Sequence, residues 1–226
     1  MEKLPLHKAC ENNTSLEVVK FLVEKYPDSV KVKDWLKKIP LHCACEKNAA
    51  LKVVKFLVET YPDSVKVKES YKGFPLHKAC ENNAPLEVLK FLVKTYPDSV
   101  KVKNWLKKLP LQCACENNAP LNVVKFLVKT YPDSVKVKNW WKELLLHCAC
   151  ANNAPLDVVK FLVQQYRDSV KVKDINQMLP LHFALNENMN LEVVTFLIQE
   201  YPYSLMVLDS YQRLPLHCAI EKKIAS

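Results

Sequence analysis

Glycine is almost missing from this sequence: Gly73 stands alone among 226 residues. Any turn that needs a left-handed backbone must use another residue, and asparagine tolerates that region best. There is no run of about 18 apolar residues, which excludes a membrane-spanning helix. The start, Met1-Glu2-Lys3-Leu4-Pro5, enters the first structural unit at once and does not read as a secretory signal. The nine cysteines are odd in number and recur at fixed spacing, unlike a disulfide framework. An intracellular setting, cytoplasmic or nuclear, is expected, where thiols stay reduced. The formal charge of +9 is spread along the chain and not gathered in a tail.

What is there repeats. Pro5, Pro40, Pro75, Pro110, Pro180 and Pro215 share one column of a 35-residue period, with Leu145 filling the gap. Tyr26, Tyr61, Tyr96, Tyr131, Tyr166 and Tyr201 make a second column, and Asn13, Asn48, Asn83, Asn118, Asn153 and Asn188 a third. Such repetition predicts one small unit stacked many times, each burying its apolar face on its neighbours. A stack of this kind offers an extended surface and no enclosed pocket, which favours binding over catalysis.

The second unit shows the pattern. Pro40-Leu41-His42-Cys43-Ala44-Cys45-Glu46-Lys47-Asn48 predicts a short helix, with proline suited to the first turn because its missing N–H needs no partner there. Asn48 falls where a left-handed residue can end that helix. Leu51 to Tyr61 predicts a second helix, whose Val54, Leu57, Val58 and Tyr61 form one apolar stripe at i, i+3, i+4 and i+7. Pro62 stops it. Val65-Lys66-Val67-Lys68 alternates with period two and predicts a short strand, after which Glu69 to Gly73 turn the chain back. The unit therefore reads as helix, turn, helix and a hairpin-like finger.

These residues resemble ankyrin repeats. The family's Thr-Pro-Leu-His-x-Ala opening is similar to Ile39-Pro40-Leu41-His42-Cys43-Ala44 and Leu214-Pro215-Leu216-His217-Cys218-Ala219. Its second-helix core is similar to Val53-Val54-Lys55-Phe56-Leu57-Val58. The unit is 35 residues long against the usual 33 or so, and the opening threonine is replaced throughout. Tetratricopeptide repeats have a similar period but lack the Pro-Leu-His opening and the finger. The resemblance implies an all-α, ankyrin-type repeat solenoid covering residues 1–226 as a single domain, six full repeats and a C-terminal half repeat. It also implies a non-enzymatic scaffold that binds a partner protein through finger tips and the first-helix face.

His7 and Cys10, or His42 and Cys45, stand at i, i+3 and, with Cys43, resemble a zinc ligand set. Four ligands must converge on one ion, however, and successive stacked helices lie roughly 8–10 Å apart. Gln112 also takes the histidine column, and Leu185 and Ile220 take the cysteine column; none of these replaces a ligand, but each replaces a spacer or packing group. The expectation is therefore structural histidines and cysteines, no metal, no cofactor and no enzyme activity.

Two further features point to partners. Lys31, Lys66, Lys101, Lys136 and Lys171 form one ladder, with Lys33, Lys68, Lys103, Lys138 and Lys173 beside it. They read either as a solvated edge or as a basic strip for an acidic partner. Nucleic acid is the weaker form of that alternative, since no arginine-rich or base-stacking module accompanies the lysines. At the finger tips stand Trp35, Tyr71, Trp105, Trp140, Trp141 and Tyr211, which either pack on their neighbours or meet a partner protein. These aromatics and the ten lysines are the candidate partner-binding residues.

The last repeat departs from the rest. Met206 and Leu208 replace the ladder lysines, and Tyr203 replaces the aspartate of Asp28, Asp63, Asp98, Asp133 and Asp168. Terminal repeats ordinarily carry a polar outer face. This one reads as a half-unit cap, a truncated chain, or an apolar patch covered by another protein, which leaves membership of a larger complex open.

Overall fold

The computed structural model describes residues 3–187 and 190–225; Met1-Glu2, Asn188 of the asparagine column and Ser226 lie outside them. Among the described residues there are thirteen α-helices, six 3-10 helices and no strand, so the fold is all-helical. The first helices of the repeats are α1 (Pro5–Glu11), α3 (Pro40–Glu46), α5 (Pro75–Glu81), α7 (Pro110–Glu116), α9 (Leu145–Ala151), α11 (Pro180–Asn186) and α13 (Pro215–Ala225). The second helices are α2 (Leu16–Lys25), α4 (Leu51–Thr60), α6 (Leu86–Thr95), α8 (Leu121–Thr130), α10 (Leu156–Gln165) and α12 (Leu191–Glu200).

Proline opens most of the first helices, where its fixed φ is already helical. Asn13, Asn48, Asn83, Asn118 and Asn153 follow them in the left-handed region, φ 51° to 56°. Asparagine does here what glycine could not. Its side-chain amide also donates to the carbonyl that closes the next repeat's first helix: Asn48 to Asn82 O at 2.6 Å, Asn153 to Glu187 O at 3.3 Å, and Asn13 to Lys47 O. One residue type thus sets this turn and ties two repeats, so the turn after the first helix needs no glycine.

The stripe predicted for α4 is its buried face: Val54, Leu57 and Val58 are buried and Tyr61 is half-buried. Burying one such leucine stabilises the fold by about 1.5–3 kcal/mol. Backbone contacts gather into two compact units, Met1–Ala114 and Cys115–Ser226. In the first unit α1 packs on α3 and α3 on α5, while α2 packs on α4 and α4 on α6. In the second, α9 packs on α11 and α11 on α13, with α8 on α10 and α10 on α12. Alanines such as Ala44, Ala79, Ala149 and Ala184 are fully buried on the first helices and let neighbouring backbones approach closely.

One expectation is corrected. The Val65-Lys66-Val67-Lys68 segment is not a strand: Pro62–Lys66 is a 3-10 helix, followed by extended backbone that joins no sheet. The same 3-10 turn recurs at Pro27–Lys31, Pro97–Lys101, Pro132–Lys136, Arg167–Lys171 and Pro202–Met206. Proline fixes φ at the first turn, and the serine N–H bonds back to the tyrosine carbonyl, as Ser64 does to Tyr61 at 3.0 Å.

Candidate functional site

Each finger is a five-residue loop closed on a side-chain acceptor, buried in every finger but that of Asn104, where it is half-buried. In the first, the Asp34 N–H donates to Lys38 O at 2.8 Å and the Lys37 N–H to Asp34 O at 2.9 Å. The Asp34 carboxylate faces inward, where its Oδ1 accepts from the N–H groups of Leu36 (2.9 Å) and Lys38 (2.8 Å). Asn104, Asn139, Asp174 and Asp209 repeat this geometry with one oxygen each. Glu69 splits the work between Oε2, 3.0 Å from Tyr71 N, and Oε1, 3.2 Å from Gly73 N. Sequence reasoning missed this column; its signal is a carboxylate or amide always one residue after the second ladder position, lysine in five repeats and Leu208 in the sixth.

The loop also needs one left-handed residue, and Lys37, Lys72, Lys107, Lys142, Gln177 and Gln212 supply it at φ 58° to 63°. Asparagine is therefore not the sole substitute for glycine in this chain. The loops are joined in series by backbone hydrogen bonds: Ser70 N to Leu36 O and Trp105 N to Tyr71 O at 2.9 Å, Ile175 N to Trp141 O and Ser210 N to Asn176 O at 2.8 Å. The backbone of the tips is thereby fixed while their side chains project outward.

The predicted aromatics Trp35, Tyr71, Trp105, Trp140, Trp141 and Tyr211 are all exposed, Trp35 to 67%. Tyr71 and Trp105 lie together, ring centroids 5.7 Å apart, so neighbour packing and exposure coexist at this pair. The two lysine ladders differ. In the first, Lys31, Lys66, Lys101 and Lys171 each lie 2.9–3.0 Å from the aspartate three residues earlier. The hydrogen bond that Lys66 donates to the Asp63 carboxylate raises the Lys66 pKa above its ordinary value. Lys66 and Lys136 also lie 5.9 and 6.0 Å from the Tyr96 and Tyr166 rings of the next repeat. In the second ladder Lys33, Lys68, Lys103 and Lys138 are exposed and Lys173 is half-buried, with Lys68 5.5 Å from the Phe74 ring. The first-helix face offers less than expected. Every residue from Pro40 to Cys45 is buried, and what stays accessible is a seam of ion pairs such as Lys8–Glu11, Lys38–Glu46 and Lys78–Glu81.

The histidine column lies beneath the fingers. Nδ1 of His42, His77, His147 and His182 accepts the N–H of the residue three positions earlier at 3.0–3.3 Å, and the Gln112 amide oxygen does the same for Leu109 at 3.0 Å. Nε2 of His7 meets Lys38 O at 3.1 Å. In later repeats that nitrogen faces the same part of the next finger, Gly73 for His42 and Lys108 for His77, without a close hydrogen bond. Burial drives His42 down to about 3 and His77 and His147 to about 4, against the opposing pull of those backbone groups. The rings are neutral braces between repeats.

Burial likewise pushes the thiols of Cys10, Cys43 and Cys115 up to about 12, and those of Cys45 and Cys150 further still. Thiols so held are poor nucleophiles and poor metal ligands. Among the described residues, Glu116, Glu143 and Cys148 bring ligand-type atoms within 4.8 Å of one another. Related thiol–carboxylate contacts join Cys43 to Glu11 (3.9 Å) and Cys113 to Glu81 (3.8 Å), which places the grouping in a packing pattern of the repeats.

A helix–turn–helix unit closed by a backbone-tied finger, repeated through both compact units, defines an ankyrin-type fold. The family described as ankyrin repeats (3 copies) matches residues 1–69 and 145–225, and the chain belongs to the ankyrin repeat family. That family is one of non-enzymatic protein-interaction scaffolds. Among solved structures the chain is similar to the ankyrin repeat domain of Bcl-3, described as a unique member of the IkappaB protein family. The TM-score is 0.70 at 22% identity, over 96% of this chain and 93% of that one, a likeness of fold. No curated protein sequence matches the chain. Among the described residues no helix is long and apolar enough to cross a membrane.

Proposed function

We propose that residues 1–226 form one ankyrin-repeat domain, an intracellular, non-enzymatic scaffold that binds a partner protein through its finger tips. The first-helix seam forms the flank of that surface. The boundary between the two compact units falls after Ala114, inside α7, which supports one domain. The observation that carries the binding surface is the exposed tip aromatics in each unit, on loops whose backbone is held by side-chain acceptors. Rigid, exposed tryptophan and tyrosine supply contact area at small entropic cost, which is why interfaces are enriched in them.

Lysines flank these rings. Lys37, Lys72 and Lys142 sit at the tips, and the second ladder runs beside them, so an acidic partner surface fits best. The first ladder contributes less, its charge being balanced by aspartates.

Affinity purification compares the chain with a variant carrying Trp35→Ser, Trp105→Ser, Trp140→Ser and Trp141→Ser, bound proteins being identified by mass spectrometry. The partner is expected to be lost from the variant while its helical circular dichroism is kept. Equal recovery by both would remove the tips from the interface. A steep, log-linear loss of binding with salt would instead favour the ladders as an anion or nucleic-acid site.

A further inference from the structure

The fingers keep lysine where the backbone does not favour it. Lys37, Lys72 and Lys107 in the first unit and Lys142 in the second hold left-handed φ values of 58° to 63°. A long side chain is strained in that region, which asparagine tolerates best. The chain uses asparagine at its other left-handed turn, at Asn13, Asn48, Asn83, Asn118 and Asn153, so the fold does not force lysine on the fingers. Strain held against an available remedy is characteristic of functional positions. The lysine also goes with the ring. Trp35 shares its tip with Lys37, Tyr71 with Lys72, Trp105 with Lys107, and Trp140 and Trp141 with Lys142, all of them exposed. The fifth finger has lost both, with Ile175 and Gln177 in their places. The sixth keeps Tyr211 but has Gln212. Its Arg213 lies 5.0 Å from that ring and 2.9 Å from Asp209 Oδ2, so the cation is answered within its own finger.

We propose that Lys37, Lys72 and Lys107 select carboxylates on the partner, which meets the first unit with an extended acidic segment; this rests on the tips being the binding surface. The acceptors of these loops point away from the tips: Asp34 and Glu69 are buried and accept backbone N–H groups, and the third finger has the neutral Asn104. Apart from Ser70, rings and ammonium groups are what the tips expose. Successive tips are joined by the bonds from Ser70 N to Leu36 O and from Trp105 N to Tyr71 O, and the Tyr71 and Trp105 rings lie 5.7 Å apart. The contacts therefore run in one line. An extended segment brings successive side chains to such a line, its carboxylates to the ammonium groups and its apolar stems to the rings. The ladders fit this role less well. Lys31, Lys66 and Lys101 are paired with aspartates, and none of Lys33, Lys68 and Lys103 holds a positive φ.

Fluorescence anisotropy tests this with a labelled peptide repeating Asp-Leu-Gly and its counterpart repeating Asn-Leu-Gly, each titrated with the full chain at physiological ionic strength. Binding of the aspartate peptide alone is expected. The variant Lys37→Asn, Lys72→Asn, Lys107→Asn puts in the fingers the residue that the chain already uses in the left-handed region. Its urea midpoint should rise, while its dissociation constant for the aspartate peptide increases about tenfold through the loss of three exposed ion pairs. Lys33→Asn, Lys68→Asn, Lys103→Asn removes the same charge from the ladder and should stay within about threefold, salt screening its longer-range pull. No binding of the acidic peptide, equal binding of both peptides, a midpoint that does not rise, or equal weakening by the two lysine variants would each overturn the proposal. A captured partner that the tryptophan variant loses and the tip asparagine variant keeps in full would leave the tips as the binding surface and remove their selection of carboxylates.

Discussion

Asp34 and Trp35 are neighbours in sequence, yet they stand for two kinds of position within every finger. Asp34 faces inward and its carboxylate closes the loop; Trp35 projects into solvent from a backbone held by that closure. Along the chain the base position changes only among Asp34, Glu69, Asn104, Asn139, Asp174 and Asp209, each an acceptor for two N–H groups. The tip position next to it runs through Trp35, Ser70, Trp105, Trp140, Ile175 and Ser210. Chemistry is held where it sets the backbone and released where it meets solvent. That division lets a scaffold change its partner while keeping its fold. It also separates the fingers among themselves: Ile175, Asn176 and Gln177 give the fifth neither an aromatic ring nor a cation at its tip.

Acid should strike the base and spare the tip. His42, His77 and His147 have folded-state values of about 3, 4 and 4, below the 6.5 or so of an unfolded histidine. Between these limits the unfolded chain binds more protons, so stability is complete above about pH 6.5 and falls as pH drops towards 4. Three such groups give a slope of up to about 4 kcal/mol per pH unit. Asp209 adds to the loss: burial raises its carboxyl, but the Arg213 N–H and guanidinium outweigh it and hold it below its ordinary value. Asp174, raised by burial, works in the opposite sense. Urea unfolding between pH 7 and 4.5 should show the fall, and His77→Gln, which copies Gln112 of the same column, should lessen its slope. A flat profile would mean that the imidazoles do not serve as neutral braces.

The direct contrast is Asp34→Ala against Trp35→Ala. The first leaves the N–H groups of Leu36 and Lys38 without their acceptor and should cost about 2–4 kcal/mol in urea unfolding. The second removes an exposed ring and should stay within about 0.5 kcal/mol. Equal losses would dissolve the distinction between base and tip.

Much of the fold was legible because repetition multiplies weak signals. One proline before one apolar stripe says little; the same pair in phase along the whole chain predicts both helices of the unit, and Pro40–Glu46 and Leu51–Thr60 lie within a residue or two of their predicted bounds. Period alone did not separate a strand from a 3-10 turn. Over Val65 to Lys68 both place valine inward and lysine outward, and Pro62 with the Ser64 N–H bond decides for the turn. The tip aromatics were found because large rings in a turn stand out. The finger acceptors were missed because Asp, Glu and Asn look like a mixed polar column until their shared hydrogen-bond geometry is seen. The narrowness of the first-helix face was hidden in side-chain volume. Alanine and cysteine let adjacent helices close over positions that a wheel diagram leaves open.

The base can be probed more finely where it departs from its own rule. Glu69 is one methylene longer than Asp34, and Gly73 stands where the first finger has Lys38. A Cβ added at Gly73 would lie 3.0 Å from Glu69 Oε1, while the backbone there has no positive φ to forbid a side chain. The chain's one glycine therefore makes room for a longer carboxylate; it does not shape a turn. Gly73→Ala should cost about 0.5–1 kcal/mol, since displacing the carboxylate outweighs the gain from restricting the unfolded chain. Glu69→Asp shortens the acceptor to the length found at Asp34, and in that background the alanine should be neutral or slightly stabilising. The double-mutant cycle thus carries the test: the two changes couple if carboxylate and glycine are matched. Simple additivity in urea unfolding would show that the glycine serves some other need.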